Sequence, residues 1–229
     1  AGAGCLAERR AQDRLHPGYL SGADPGLFLL LRPGGDHPLD AGGVHADRLD
    51  LVCLAGYCDF TAGVDKAGIP NVEIQAAYIG ELARLARDLG TGMVRVYTGY
   101  ERPGVPYDKQ YALVVEGLQI AGKLAARYGV TLAIQNHHDI ALHHDAMKWL
   151  LDETNLPNVM AAFDCWSPTL EGLTSEEIRK AIYTMKSYIV HTTTADYKEL
   201  PRYTYELNHT NYVRQESQMR AVPIGEGFL

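Results

Sequence analysis

Four short apolar runs in the second half of the chain each end in a polar side chain able to hold a metal ion. This pattern narrows the fold more than any other feature. Thr131-Leu-Ala-Ile134 leads into Gln135-Asn136-His137-His138-Asp139, Val159-Met-Ala-Ala-Phe163 into Asp164, Tyr188-Ile-Val190 into His191, and Ala221-Val-Pro-Ile224 into Gly225-Glu226-Gly227. Runs this short suit strands buried on both faces rather than helices. Helix-like stretches separate them, and alternating strands and helices imply a parallel sheet. In such folds the site lies at the carboxyl ends of the strands.

Spacing strengthens the reading. Gln135 and Asp164 are 29 residues apart, Asp164 and His191 27, and His191 and Glu226 35. Each interval is about one βα unit, which places the four side chains on successive strands. Carboxylate oxygens plus one imidazole suit Mg2+, Mn2+ or Co2+, and with His they also tolerate Zn2+. The expected metal ligands are Gln135, Asp164, His191 and Glu226.

The rest of the chain fits a barrel unevenly. Asp50–Leu54 and Met93–Tyr97 read as strands, and Thr98-Gly99 closes the second. Asn71 is placed to cap a helix over Val72–Leu89, with Ile74, Tyr78, Leu82, Leu85 and Leu89 as its apolar stripe and Gly90 after it. Further helices are expected over Asp108–Tyr128, His144–Glu153 and, from the capping-box spacing Thr174-Ser-Glu-Glu177, to about Lys186. Thr192 to Met219 reads as a polar, tyrosine-rich loop. Leu27–Leu31 has strand composition, but the first 45 residues otherwise lack the expected pattern. With at most seven strands, the expectation is a single-domain (β/α)8 barrel over 1–229 that is incomplete, with strand 8 and part of the N-terminal unit missing or altered. A barrel of this kind typically has about 250 residues; this chain has 229.

Composition sets limits on partners. A formal net charge of −7 argues against nucleic acid, which selects a basic stripe. Cys5, Cys53, Cys58 and Cys165 have no zinc-type spacing and read as reduced thiols of a cytoplasmic protein. No apolar run has the length of a membrane span. Homo-oligomerisation stays open.

From Leu51 to Leu229 these motifs resemble the sugar phosphate isomerase/epimerase group of xylose-isomerase-like TIM barrels. That group includes ketose 3-epimerases, hydroxypyruvate isomerase, inosose dehydratase and, more distantly, endonuclease IV. Strand 4 there ends in Glu before Asn-His, strand 5 in Asp, strand 6 in His and strand 7 in Gly-Glu-Gly. The resemblance carries these to Gln135 before Asn136-His137, then Asp164, His191 and Glu226. It implies a divalent-metal-dependent isomerase or epimerase acting on a sugar, polyol or related hydroxy-carbonyl compound. A sugar lyase or dehydratase, or an inactive carbohydrate-binding barrel, is the alternative.

Gln135 departs from that pattern. A glutamine carbonyl can coordinate, but it is neutral and accepts no proton at working pH. Ser167 departs too, where many epimerases place a His. Glu226 is then the expected base, with His137 orienting substrate or, like His138 or Asp139, replacing the lost carboxylate. Asn136, His138, Trp166 and Asp196 are the expected substrate-binding residues, Trp166 as an apolar wall against a sugar ring. Lys198 and Arg202 are further candidates for hydroxyls or phosphate, and Tyr97 and Glu101 for the pocket. His143 and His144 are expected at a helix start, outside the chemistry.

Overall fold

Short runs of branched and small apolar residues line up side by side as the middle of a sheet. The computed structural model describes residues 20–21, 27–33, 49–66, 68–137, 140–208 and 211–228. A seven-stranded sheet takes its strands in chain order: β1 (Leu20–Ser21), β2 (Leu27–Pro33), β3 (Leu49–Gly56), β4 (Met93–Val96), β5 (Thr131–Gln135), β6 (Val159–Ala162) and β7 (Ile189–His191). From β3 to β7 every neighbouring pair is parallel; β1 and β2 add antiparallel strands at the β3 edge. This is the α/β barrel architecture expected from the alternation, seen as five parallel strands. The strand expected near Leu27–Leu31 is present as β2. Most of the first 45 residues, and His138 and Asp139, lie outside the described residues.

Among the described residues, five helices connect or flank these strands: α1 (Asn71–Asp88), α2 (Tyr107–Ala126), α3 (His144–Thr154), α4 (Trp166–Leu170) and α5 (Ser175–Met185). Left-handed glycines end the first two, Gly90 at φ 87° and Gly129 at φ 68°, where a side chain would be strained. Asn155, at φ 49°, ends α3 the same way. The capping box of α5 forms: Thr174 accepts from the Glu177 amide and the Glu177 carboxylate accepts from the Thr174 amide. The core joins strand residues Leu54, Val94, Val96, Leu132 and Ile134 to the inner faces of the helices.

Helix α1 corrects two expectations. Asn71 is its first residue rather than its cap, and the position before it is Pro70, with no side-chain cap. The buried face runs through Val72, Ala76, Ile79, Leu82, Ala83 and Ala86, whereas Ile74, Tyr78 and Leu89 are exposed. Residue size misled the stripe. Alanines let a helix approach its neighbours closely, so the inner face of α1 carries small side chains where the periodicity of the large ones pointed elsewhere.

The larger correction lies beyond β7. The stretch read as a loop is an antiparallel hairpin, β8 (Asp196–Glu206) and β9 (Asn211–Val222), forming its own two-stranded sheet. Ala221 and Val222, expected to begin a barrel strand before Gly225-Glu226-Gly227, instead end β9 opposite Tyr197 and Asp196. Pro223 then starts a turn, closed by the Glu226 amide on the Pro223 carbonyl at 3.0 Å. Pro223 and Gly225 break the run that looked continuous by composition. None of the described helices is long and apolar enough to cross a membrane.

Candidate functional site at the carboxyl ends of the strands

Register brings the polar strand ends together. Gln135 pairs with Ala162 on β6, and Ala162 with His191 on β7, so Gln135 and His191 stand at one level on either side of β6. Asp164 follows two residues beyond Ala162. Gln135 and Asp164 meet directly: the Gln135 Nε2 donates to Asp164 Oδ2 at 2.7 Å. On its other side, Gln135 Oε1 accepts from Arg95 Nη1 at 2.6 Å. Donors on one side and acceptors on the other leave a single orientation for the amide, oxygen toward Arg95 and nitrogen toward Asp164. Arg95, Gln135 and Asp164 thus form a continuous chain across β4, β5 and the end of β6, all three buried.

Asn136 locks this chain to the backbone. Its Nδ2 donates to the Asp164 carbonyl at 3.0 Å and its Oδ1 accepts from the Asp164 amide at 2.7 Å. With both ends used and the side chain fully buried, Asn136, expected among the substrate contacts, holds the Asp164 backbone in place. Ser167 has a similar part, its amide donating to Asp164 Oδ1 at 2.9 Å.

Burial dominates the electrostatics. It pushes the Asp164 carboxyl up to about 6, against the lowering from the Ser167 and Gln135 hydrogen bonds. A raised acid contributes stability that is complete below its ordinary value of 3.8 and lost as pH rises through about 6. That contribution is about 3 kcal/mol. His191 runs the other way. Burial, and then the nearby Arg95 charge, hold it below the ordinary imidazole value, so its contribution weakens as the pH falls. The side-chain carboxyl signal of Asp164 in a carbon NMR titration is expected to move with a midpoint near pH 6; a midpoint near 4 would mean the carboxylate is better solvated than its burial implies.

Around this polar floor runs an arc of rings. Tyr57 packs on Tyr97 at 4.9 Å between centroids, Tyr97 on His137 at 5.4 Å, His137 on Trp166 at 5.2 Å and Trp166 on Tyr197 at 5.6 Å. They come from the ends of β3, β4, β5 and β6 and the start of β8. The Arg95 guanidinium lies 4.8 Å from the Tyr97 ring centre. His137 and Trp166, both expected in the site, are therefore neighbours in one wall. Trp166 also borders a 470 Å³ cleft with Leu173, Ile178, Thr193 and Ile224.

Asp196 braces the turn that follows the hairpin. It is buried, and its Oδ2 accepts from the amides of Gly225 and Gly227 at 2.9 and 2.8 Å. It thereby pins the turn carrying Glu226, and the Phe228 amide adds a bond to the Tyr197 carbonyl at 3.1 Å. Glu226 itself is exposed on that turn rather than at the end of a sheet strand. Lys198, Arg202 and Glu101 do not join the buried cluster: Lys198 and Arg202 lie on the exposed hairpin, and Glu101 is exposed. His143 caps α3, its Nδ1 accepting from the Asp145 amide, as expected for a helix start. His143, His144 and Asp145 do bring their ligand atoms within 4.8 Å of one another, but at the start of α3.

The donor set expected for a metal does not fit one as arranged. Gln135 Oε1 already accepts from a guanidinium, Asp164 has an N–H on each oxygen, and Glu226 stands on the hairpin turn. A divalent cation would also have to sit beside the Arg95 charge. His191 Nε2 is the one atom of the set that is buried without a partner. The reading from sequence passed over Arg95. Its signal was a charged residue inside Met93-Val-Arg-Val96, an otherwise apolar strand buried in a sheet, where an unpaired charge is costly.

A parallel α/β barrel sheet with its polar cluster at the carboxyl strand ends is the class these features define. The chain belongs to the xylose isomerase-like TIM barrel family, whose model matches residues 43–229. No curated protein matches it. Among solved structures it is similar to a xylose isomerase-like TIM barrel protein from Mycobacterium smegmatis in complex with magnesium (TM-score 0.55, 13% identity, 76% of this chain and 58% of the other). It is also similar to the probable 3-DHS dehydratase AsbF from Bacillus anthracis (0.54, 15%, 65% and 52%) and to the 3-keto-D-glucoside 4-epimerase YcjR from E. coli (0.53, 14%, 63% and 58%). The chain spans between about half and three fifths of each of these structures. At such identities the likeness extends to the fold.

Proposed function

We propose that this chain is an enzyme of the isomerase and epimerase type, cytoplasmic, acting on a small sugar or related hydroxy-carbonyl compound. It moves a proton at the carbon next to a carbonyl. The observation that carries the reading is the buried Arg95–Gln135–Asp164 chain at the strand ends, bordered by the arc from Tyr57 to Tyr197. A polar floor inside an aromatic wall suits a ring with one hydroxylated edge and one apolar face. Family membership and similar structures described as an epimerase and a dehydratase support the same class.

In this reading the half-buried Trp166 and His137 receive the apolar face of the sugar. Glu226 accepts the proton from the carbon beside the carbonyl and returns it to the neighbouring carbon on the same face, giving aldose–ketose exchange through an enediol. Its turn is tied to the wall: Asp196 holds the amides flanking Glu226, and the next residue, Tyr197, packs on Trp166. Elimination β to the carbonyl needs the same single base, and one similar structure is described as a dehydratase.

The test is solvent-deuterium exchange. The full chain is incubated in heavy water with a panel of ketoses, aldoses and 3-oxo sugars, each with and without Mn2+, Mg2+ or Co2+, and followed by proton NMR. Loss of the signal of the hydrogen next to the carbonyl is the expected result, with isomer or with enone as product. Binding without exchange or conversion under every condition would make this a carbohydrate-binding barrel instead.

A further inference from the structure

Arg95 is 6% exposed, and a buried cation needs an anion or several acceptors to offset its desolvation. Among the described residues it has one neutral acceptor. Gln135 Oε1 takes a hydrogen bond from Nη1 at 2.6 Å, while Nε is buried with no partner. The Asp164 carboxylate is linked to it only through the Gln135 amide. A glutamate at position 135 would cancel the guanidinium charge; the glutamine orients Arg95 and leaves its charge in place. Tyr97 fixes the plane from the side, its ring centre 4.8 Å from the guanidinium carbon.

The nitrogen held by Gln135 and the unpartnered Nε belong to different edges of the guanidinium. The side-on edge through Nε presents two parallel N–H groups that match a carboxylate. His191 adds a second unpartnered nitrogen, Nε2, also buried, and close enough to Arg95 to feel its charge. Thr193 Oγ1 lies 3.4 Å from Gln135 Nε2, the end of the amide that faces Asp164. The site has a fixed positive charge and a preset donor edge, with a neutral amide between Arg95 and the Asp164 carboxyl.

We propose that Arg95 supplies the positive charge of this site in place of a divalent cation, and that its ligand is a hydroxy-carbonyl compound carrying a carboxylate, a sugar acid rather than a neutral sugar. A carboxylate on the Nε edge satisfies the orphaned donor and neutralises the guanidinium. The inference rests on the proposed hydroxy-carbonyl chemistry for its choice of ligand skeleton, while the charge argument stands on Arg95 and Gln135 alone.

Binding is measured rather than turnover. Chelator-treated full chain is titrated with D-glucuronate and with D-glucose by ligand-observed NMR, and with Mn2+ by electron paramagnetic resonance. D-glucuronate is expected to bind at least tenfold more tightly than D-glucose, and Arg95→Met to abolish that preference. Arg95→Lys, which keeps the charge but not the fork, is expected to retain part of it and serves if the Met variant fails to melt cooperatively. Mn2+ is expected to find no stoichiometric site tighter than millimolar at these strand ends. The proposal is overturned if glucuronate gains no preference, if the preference survives loss of Arg95, or if one equivalent of Mn2+ binds at micromolar concentration and Asp164→Asn removes it. Carboxylate preference without deuterium exchange would sink the enzymatic reading alone; exchange on neutral sugars without that preference would sink this one alone.

Discussion

Gln135→Glu is expected to destabilise the fold by on the order of 4 kcal/mol at pH 8, the size of a like-charge contact near 4 Å in a partly polarisable interior, and far less at pH 5. In the wild type the contact with Asp164 is an amide N–H donating at 2.7 Å. The substitution sets two carboxylate oxygens against each other in a buried site, and one must hold a proton. The pair's folded pKa then rises above its unfolded value, so its contribution is present at low pH and lost as the pH climbs. Denaturant titrations at pH 5 and pH 8 measure the difference directly. Mn2+ should recover part of the loss at pH 8, because a dication can replace the shared proton. Equal stability at both pH values would mean that Arg95 absorbs the new charge completely, and that the amide bridge is dispensable.

Glu226→Gln is expected to lower the rate of exchange next to the carbonyl by roughly 10²–10⁴-fold, the range for removing a general base. Glu226 is exposed, so stability should change by no more than about 0.5 kcal/mol. That separates lost chemistry from lost fold. Asp196→Ala provides the contrast. It leaves Glu226 intact but frees the Gly225 and Gly227 amides, and should lower both rate and stability. A Glu226→Gln chain that exchanges as fast as wild type would move the search for the base to Asp164 or His137.

The alternation of strands and helices was legible because buried strands and glycine-terminated helices obey local rules. β4, β5, β6, α2, α3 and α5 all fall within a few residues of their expected bounds. The meeting of Gln135 with Asp164 followed from the same logic, since the spacing set both on adjacent strand ends. What the sequence did not reveal depends on contacts distant in sequence. Asp196 looked like a polar loop residue, yet its partners are Gly225 and Gly227, about thirty residues away. Asn136 looked like a substrate contact, yet both ends of its amide are taken by the Asp164 backbone. Arg95 falls outside any pattern of metal ligands because a guanidinium, itself a cation, cannot coordinate one. The hairpin was missed because its strands carry mixed polar and aromatic residues with no buried face to impose alternation.

That hairpin has a bearing on how the chain could be altered. Asp196 and Val222 pair at its base, and Glu206 and Asn211 at its tip, a ribbon of about 35 Å at the usual rise of an extended strand. Entry and exit leave from the same spot, so its length is decoupled from everything it connects. Removing matched residues from the two arms shortens the ribbon without altering the span between β7 and the turn of Glu226. The segment behaves as an interchangeable cassette: a graft of different length or surface chemistry could be carried there, with the strand ends beneath keeping their geometry.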